Sequence, residues 1–323
     1  MMWRYLDFRA LVILASLGMI GCALPVKPEG VAAGRELLTP WVMITGGPVL
    51  SPLGAKPGVN AGHVQLRHPT AVSALGNDVY LVDAGLRRIY RYNRAQLSLE
   101  PFTTLAADAS MRLYAGPDLS VYVADPVHSR VLQFSWNGQL LQTFSNEASL
   151  SRPIAVTMDD AGGRVLVADG LYDQVVAFNR MGLPLHVINQ RNAESPVQSI
   201  ADMSRGQEGL YLIDRLARQV VVLDLNGAYR RAFGKGELVQ PGAIAVDKSN
   251  RVYVSDNFDN TIKVFAGGKL VKKFGGSGSI PGLFNQITAL SENQGMLYVA
   301  DSLNARIQIL LVSPGTLDGA TLH

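Results

Sequence analysis

The sequence predicts an all-β fold built from six copies of one four-stranded unit. An apolar strand ending in Asp, a four-residue gap and a second apolar strand recur six times along the 323 residues. The marker aspartates of these copies lie 42, 44, 45, 42 and 45 residues apart, at Asp83, Asp125, Asp169, Asp214, Asp256 and Asp301. Repeats of this length that are rich in short strands are typical of a β-propeller, with one sheet per repeat. We therefore predict a six-bladed β-propeller with four-stranded antiparallel blades.

The two central strands of each copy are apolar at both alternating positions. In the second copy, Val121 and Val123 form one series and Tyr122 stands between them. A strand with one wet face alternates apolar and polar residues, whereas a strand buried on both faces need not. This pattern predicts blades packed between neighbouring blades. The gap after each Asp suits a hairpin turn, and the carboxylate can accept hydrogen bonds from the N–H groups of that turn. We therefore interpret the six aspartates as structural turn residues.

Shorter runs before each pair are predicted to be the inner strands around a central channel: 69–75, 110–116, 153–159, 199–204, 243–248 and 286–292. Outer strands follow the first five pairs, for example at 138–146, 227–236 and 268–278. The sixth pair has no such follower. We predict that the N-terminal strand PWVMITGG (40–47) completes this last blade, which would remove the open sheet edges.

The first 21 residues carry a secretory signal pattern. Arg4 and Arg9 precede an apolar stretch at 10–20 that is too short to span a bilayer as a mature helix. The pattern ends in MIGC, which resembles a bacterial lipobox, although Met19 stands where Leu is usual. The resemblance implies a lipid-modified N-terminus at Cys22. An ordinary signal peptide, or an uncleaved anchor with an incidental cysteine, is the alternative.

These observations divide the chain into four parts: a lipoprotein signal peptide at 1–21, a lipid-anchored tether at 22–39, the propeller at 40–313 and a tail at 314–323. The Gly- and Pro-rich residues 46–67 are expected to form a loop along the body. Because Ala23 rather than Asp follows the cysteine, the lipobox resemblance implies the outer membrane, with the protein facing the periplasm or the cell surface.

The last copy, LYVADSLNARIQIL (297–310), resembles the core of an NHL repeat. That family's Asp-x-x-Asn-x-Arg pattern is met in full only by Asp301, Asn304 and Arg306. The resemblance covers roughly residues 68–311 and implies a propeller that acts as an interaction platform, although some relatives are enzymes. The YVTN propeller repeat is a rival resemblance that implies the same architecture.

Composition limits the classes of partner. The formal net charge is +3 and falls to about +2 without residues 1–21, which argues against bulk electrostatic capture of nucleic acid. No stretch after Cys22 approaches 18 continuous apolar residues, so the sequence predicts no transmembrane helix in the mature chain. With a single cysteine, the fold needs no disulfide.

No residue set in the sequence resembles a catalytic centre. The five histidines have no compact metal-ligand spacing: His63, His68, His128, His186 and His323. Asp159, Asp202 and Asp247, near the ends of inner strands, are interpreted as turn residues and not as an acidic calcium pocket. No nucleophile elbow or phosphate loop occurs. We predict no catalytic residue, no metal site and no cofactor.

The turns after the marker aspartates are the predicted binding site, because loops on a rigid scaffold often carry function. Equivalent turn positions differ between copies and offer aromatic, cationic and amide groups. The candidate binding residues are Arg87, His128, Tyr172, Arg218, Phe258 and Asn304. Leu171, Leu216 and Leu303 are interpreted as plugs of their turns.

A second set of charged residues lies in the fourth and fifth copies: Arg230, Arg231, Lys235, Lys263, Lys269, Lys272 and Lys273. We interpret them as cations that block pairing at outer strand edges. Contact with anionic lipid headgroups or an acidic polysaccharide is the alternative.

The sequence thus favours a cell-envelope lipoprotein that serves as a binding or assembly platform. The expected partner is an envelope protein or polysaccharide, with membrane attachment through the N-terminal lipid and no nucleic acid. The alternative is an envelope hydrolase or lyase that acts on a sugar or peptide at the channel mouth, with a metal ion as a candidate requirement.

Overall fold

The computed structural model describes residues 36–49, 62–189 and 197–314, which form six four-stranded antiparallel sheets and one small hairpin. The predicted six-bladed β-propeller is confirmed. The predicted signal peptide, Cys22 and nearly all of the predicted tail lie outside the described residues. Within the described ranges, no helix has the length and apolar character needed to cross a membrane.

The strands follow the chain from the inner to the outer position of each blade. Three strands precede the first blade: β1 (Leu38–Ile44), β2 (Gly46–Pro48) and β3 (His63–Gln65). Blade one comprises β4 (Pro69–Leu75), β5 (Asp78–Asp83), β6 (Arg88–Asn93) and β7 (Ser98–Pro101). Blade two comprises β8 (Arg112–Ala115), β9 (Ser120–Asp125), β10 (Arg130–Ser135) and β11 (Leu140–Ser145). Blade three comprises β12 (Pro153–Asp159), β13 (Arg164–Asp169), β14 (Gln174–Asn179) and β15 (Pro184–Asn189).

The second half repeats this plan. Blade four comprises β16 (Ile200–Gly206), β17 (Gly209–Asp214), β18 (Gln219–Leu223) and β19 (Tyr229–Phe233). Blade five comprises β20 (Pro241–Val246), β21 (Val252–Asp256), β22 (Thr261–Ala266) and β23 (Lys269–Gly275). Blade six comprises β24 (Ile287–Asn293), β25 (Met296–Asp301), β26 (Arg306–Val312) and β1. Two short 3-10 turns occur at Pro126–His128 and Ser302–Asn304.

The direction of the strands gives the propeller two different faces. In each blade the turn after the second strand and the link to the next blade lie on one face, which we call the turn face. The turns after the first and third strands lie on the other, which we call the entry face. Each inner strand packs against the inner strands of both neighbouring blades, and β24 packs against β4, so the ring is closed.

The N-terminal strand completes the last blade, as predicted. β1 pairs antiparallel with β26, from Leu38 opposite Val312 to Ile44 opposite Ile307. The side chains of Leu38 and Ile44 are fully buried. β1 begins at Leu38 on the entry face, two residues before the predicted boundary at 40, so the predicted tether overlaps the strand by two residues.

The core consists of six hydrophobic clusters, one at each interface between neighbouring blades. In β5, Tyr80 packs towards blade two, whereas Val79 and Leu81 pack towards blade six. This arrangement explains why the second strands lack polar alternation: both of their faces lose water to a neighbour.

Two sequence expectations differ from the structure. Residues 46–67 were expected to be a loop, but β2 and β3 pair as a hairpin that contacts β7; residues 50–61 lie outside the described ranges. Lys263 was assigned to an outer edge, but it lies in β22 and is 5% exposed. Its Nζ is 2.6 Å from the Asp256 Oδ2, so it neutralises a buried carboxylate and does not block pairing at an outer strand edge.

Ring closure predicts a large effect of removing β1. A variant that lacks residues 1–61 should lose about 3–6 kcal/mol of unfolding free energy, because it no longer buries Leu38 and Ile44. Urea unfolding followed by circular dichroism measures this loss. A variant that lacks residues 1–35 is the control and should keep the stability of the full chain. Equal stability of the two variants would show that β1 is dispensable.

Candidate functional site

The marker aspartates lie directly beneath the turns and links of the turn face. All six side chains are fully buried: Asp83, Asp125, Asp169, Asp214, Asp256 and Asp301. The carboxylate of Asp83 accepts hydrogen bonds from the N–H groups of Arg67 (2.7 Å) and His68 (3.1 Å) in the preceding link. It also accepts one from the N–H of Leu86 (2.9 Å) in its own turn. One carboxylate therefore connects a link to a turn.

The same connection recurs with other partners. Asp214 accepts from the N–H groups of Gln198 in the link and Ala217 in the turn, both at 3.0 Å. Asp169 and Asp256 likewise accept N–H groups from both segments. In all six turns the fourth residue after the Asp has a left-handed backbone with φ between 51° and 54°: Arg87, Ser129, Asp173, Arg218, Asn260 and Ala305.

Three blades add a cationic side chain to the buried carboxylate. In blade six the Arg306 Nε lies 2.7 Å from the Asp301 Oδ2, and Arg306 also donates to the carbonyl oxygens of Ser279 (2.6 Å) and Leu283 (3.0 Å). Asn304 donates to both carboxylate oxygens of Asp301, at 3.0 and 2.9 Å. The residues that carry the NHL-like pattern thus form one buried network.

Blade two pairs its marker aspartate with an arginine at the same repeat position as Arg306, whereas blade five uses a lysine at a different position. Asp125 contacts the His128 Nδ1 at 2.8 Å and the Arg130 Nε at 3.0 Å. Asp256 contacts Lys263; burial opposes ionisation of this carboxyl group, but Lys263 and three backbone N–H groups together lower the pKa of Asp256. In blades one, three and four, the bonds described for the marker carboxylate come from backbone N–H groups.

The sequence-predicted binding residues all lie on the turn face, but they differ in availability. Arg87, Arg218 and Phe258 are exposed, and the Phe258 side chain is 68% exposed. His128 and Asn304 hold their marker aspartates, so their polar groups serve the turn itself. Tyr172 is half-buried, and its N–H is bound by Asp169.

The sequence interpretation missed a ring of exposed apolar side chains. In five of the six turns the second residue after the Asp is apolar and 54–68% exposed: Val127, Leu171, Leu216, Phe258 and Leu303. We call this set the apolar ring. The interpretation of Leu171, Leu216 and Leu303 as turn plugs is therefore wrong. The signal was available, because an apolar residue recurs at one position that lies outside every predicted strand.

The central channel contains a cavity of about 480 Å³ that is lined by the inner strands of all six blades. Its lining reaches the entry-face turns at Gln207, Lys248 and Glu292. None of the six predicted binding residues lines it. The cavity and the predicted binding turns are thus two separate features.

Asp202 is an acidic group of this cavity that the sequence interpretation assigned to a turn. It lies within β16, and its carboxylate accepts hydrogen bonds from the N–H groups of Met203 (2.8 Å) and Ile244 (2.9 Å). Burial raises the pKa of Asp202 to about 6, against the opposing effects of these N–H groups and of Arg112 on the same wall. Asp202 is therefore a channel residue whose protonation changes near neutral pH.

The other two acidic residues of the inner strands are paired at strand ends, which agrees with their assignment to turns. Asp159 contacts the Arg164 Nη2 at 2.7 Å, and Asp247 contacts the Arg251 Nε at 2.6 Å. His128 lies in a turn and His186 in the outer strand β15, so they occupy different radial positions. Within residues 36–49, 62–189 and 197–314, no three His, Cys, Asp or Glu side chains are grouped so that they could hold a metal ion.

Comparisons with known proteins give the fold and no family. No family model matches the sequence, and no curated protein matches it. A Bacteroides thetaiotaomicron structural genomics protein of unknown function is similar in structure, with a TM-score of 0.63 and 13% identity over 77% of this chain and 70% of that chain. Virginiamycin B lyase from Staphylococcus aureus has a TM-score of 0.57 and 10% identity over 76% of this chain and 95% of that chain. A streptogramin B lyase structure has a TM-score of 0.56 and 10% identity, covering 77% and 95% respectively. At such identities the similarity shows a shared propeller fold.

The buried network of blade six predicts unequal costs of removing marker aspartates. Asp301→Ala should lower the unfolding free energy by about 3–5 kcal/mol, because it leaves the buried Arg306 without its counterion. Asp214→Ala is the matched control and should cost about 1–3 kcal/mol, since it leaves only backbone N–H groups unsatisfied. Chemical denaturation of both variants tests this difference. Equal costs would contradict a special role for the Asp301–Arg306 pair.

The raised pKa of Asp202 predicts a pH-dependent contribution to stability. The folded-state pKa of about 6 lies above the ordinary value of 3.8, so the folded state binds the proton more tightly than the unfolded chain. The contribution of Asp202 should therefore become more favourable as pH falls through 6. Relative to Asp202→Asn, the native chain should gain about 1–3 kcal/mol between pH 7.5 and pH 4.5, in a comparison of urea unfolding at several pH values. A difference that does not vary with pH would contradict the raised pKa.

Proposed function

We propose that this chain is a lipid-anchored cell-envelope propeller of NHL type whose turn face binds an envelope protein. The MIGC pattern at Cys22 supports the anchor, and the Asp301, Asn304 and Arg306 pattern supports the NHL assignment. The observation that carries the binding function is the apolar ring, whose five members stand 54–68% exposed on one face.

The turns that carry the apolar ring are held in place by hydrogen bonds, which lowers the conformational entropy that is lost on binding. Each of its turns has a fully buried aspartate two residues before the exposed side chain. In blades three and five, the same carboxylate accepts the N–H of the ring residue itself: Asp169 binds Leu171 (2.8 Å), and Asp256 binds Phe258 (3.2 Å). A turn whose backbone is already ordered loses little further backbone entropy when a partner covers it.

The chemistry of the turn face suits a protein better than a glycan. Exposed arginines accompany the ring at Arg87, Arg215 and Arg218. Large apolar side chains together with arginine are the residue types that dominate protein–protein interfaces. Covering the leucines with sugar hydroxyl groups would bury polar groups without hydrogen-bond partners, which is unfavourable. We therefore favour a protein partner, and polysaccharide binding is an outcome that the experiment below can reveal.

The direction of β1 agrees with this use of the turn face. β1 enters the fold at Leu38 on the opposite face, so an anchor attached upstream would hold the entry face towards the membrane. The turn face would then point away from the lipid and towards other envelope proteins.

The channel cavity supports a second candidate, an envelope hydrolase or lyase. It encloses about 480 Å³, and Asp202 on its wall has a pKa of about 6, which suits proton transfer near neutral pH. Two similar structures are lyases by name, at 10% identity. Asp202 belongs to a single blade, whereas the apolar ring is repeated in five blades, so we place binding first.

The proposal predicts that an envelope protein is lost when the apolar ring is made polar. Tagged chain is crosslinked mildly in cells, purified from detergent-solubilised membranes and analysed by mass spectrometry, together with a bound-metal measurement. One protein should co-purify stoichiometrically with the native chain. Leu171→Ser combined with Leu216→Ser and Phe258→Ser should reduce its recovery at least about tenfold, because the three substitutions remove much of the exposed apolar contact.

Two controls make the result interpretable. Ile280→Ser changes an exposed apolar residue of the turn face outside the apolar ring and should keep the partner. Cys22→Ala should move the chain out of the membrane fraction if the cysteine carries the lipid. Equal recovery of the partner with the triple variant would contradict the turn face as its binding site. Recovery of a polysaccharide, or a stoichiometric metal without a partner, would favour the alternatives.

A further inference from the structure

The entry face of blades two and three carries a second exposed apolar surface. Six of its side chains are 51–74% exposed, and we call them the entry patch: Trp136, Leu140, Leu141, Met181, Leu183 and Leu185. They lie in the turns after the third strands and at the starts of the outer strands β11 and β15. Leu97 in blade one and Leu119 in blade two extend the apolar surface, at 60% and 61% exposed.

The entry patch is continuous across the boundary between the two blades. The Gln142 Nε2 of β11 donates to the Met181 carbonyl oxygen at 3.0 Å. Gly182 of the same turn approaches the Gln142 side chain so closely that a Cβ would lie 2.4 Å from the Nε2. The turn of blade three therefore rests directly on the outer strand of blade two. Soluble proteins seldom leave a continuous apolar surface of this kind uncovered.

The entry patch is not a consequence of the repeat pattern, because equivalent positions in other blades carry different residues. Equivalent turns contain a glycine with positive φ at Gly138, Gly182 and Gly227. The third residue after that glycine is Leu141 in blade two and Leu185 in blade three, but it is Arg230 in blade four. The outer strand segments LLQTFS and PLHVIN contain no Lys, Arg, Asp or Glu, whereas YRRAF and KLVKKFG contain two and three cations. Blades two and three thus lack the charges that usually protect an outer edge.

The position of the entry patch indicates what covers it. The described chain begins at residue 36 on the entry face, 14 residues after Cys22, which carries the lipid in the proposed function. β1 belongs to blade six, next to blade one, and the Arg94 guanidinium of blade one lies 6.0 Å from the ring centre of Trp41 in β1. A membrane that holds the N-terminus therefore meets the entry face first.

We propose that the entry patch inserts into the headgroup region of a lipid bilayer, an inference that rests on the membrane attachment in the proposed function. Tryptophan is favoured at this depth because its ring is apolar and its N–H is polar. Leu and Met side chains at the tips of the turns bury apolar area there. The exposed Arg180, next to Met181 of the entry patch, is placed to meet lipid phosphates, whereas Arg91 is already paired with Glu100 at 2.9 Å.

The entry-face turns of blades four and five determine how the propeller is oriented on the membrane. The corresponding turns of blades four and five, at 224–227 and 266–268, read DLNG and AGG. The inserted edge is therefore formed by blades one to three, and the propeller tilts so that blades four and five stay in water. The turn face remains free for its partner, so one chain can bind the membrane and a protein at the same time.

Depth-dependent quenching of Trp136 tests the inference. The sequence has three tryptophans, and Trp3 lies in the signal peptide that the lipidated chain no longer carries, so Trp41→Phe leaves Trp136 as its only tryptophan. The lipidated chain, purified from membranes, is reconstituted into phosphatidylcholine vesicles that contain 20–30% phosphatidylglycerol, with bromine at different depths of the acyl chains. Trp136 emission should shift to shorter wavelength, and lipids brominated near the headgroup should quench most of it. Leu141→Arg with Leu185→Arg, which introduce the residue of blade four, should abolish the quenching.

Controls separate this inference from the proposed function. A reporter on the turn face, Ile280→Trp in a lipidated chain with Trp41 and Trp136 changed to Phe, should remain unquenched. Vesicle flotation reports attachment independently. A chain that floats while Trp136 stays unquenched would overturn the entry patch and leave the anchor intact, whereas a chain that does not float would overturn the anchor itself. Equal quenching of both reporters, or a stable dimer that shields Trp136 with and without vesicles, would also overturn the inference.

Discussion

The buried aspartate at the end of each second strand is the interaction on which the propeller depends. In blades one, three, four and five, its carboxylate accepts hydrogen bonds from backbone N–H groups of both a link and a turn. The carboxylate of Asp83 satisfies three of them at once, at 2.7–3.1 Å. Because an unpaired buried N–H costs about 1–3 kcal/mol, one side chain at a fixed repeat position stabilises the join between two blades. Its bonds also hold the exposed turn residues in place, so the stability of the fold and the rigidity of the turn face have the same origin.

The blades differ in how they neutralise this buried charge. Arg306 serves Asp301 and also binds carbonyl oxygens of the link, so in blade six the cation organises a whole segment. Lys263 reaches Asp256 from a different strand position, and the bonds described for Asp214 come from the backbone N–H groups of Gln198 and Ala217. A repeat can therefore lose its consensus arginine without losing its fold, provided that N–H groups or another cation remain within reach of the carboxylate. This tolerance explains how the NHL-like pattern is complete in only one copy while all six blades form.

The architecture could be predicted from the sequence because it depends on local, repeated signals. The inner strand 69–75 and the closing role of residues 40–47 follow from strand length and spacing alone. The candidate sites depend on which side chains remain in water, and spacing does not determine that. Leu171 and Leu303 looked like turn plugs, yet they project from the turn because the Asp carboxylate already fills the space beneath it. Asp202 was misassigned for a related reason: the Ile244 N–H that its carboxylate accepts belongs to the next blade and lies 42 residues further along the chain. Lys263 was misassigned because spacing does not show that its Nζ reaches the buried Asp256, seven residues earlier.

The two faces of the molecule differ in the origin of their apolar residues. On the turn face, an apolar residue at one repeat position produces a ring of exposed side chains that spans five blades. On the entry face, the apolar residues belong to particular blades and replace charges such as Arg230. A surface that extends around the ring suits a partner that covers the whole face. A surface on one side of the ring suits contact between one edge of the propeller and a planar surface. Since β1 closes the ring and starts at Leu38 on the entry face, the strand that completes the fold also brings the chain into the propeller on the face that carries the entry patch.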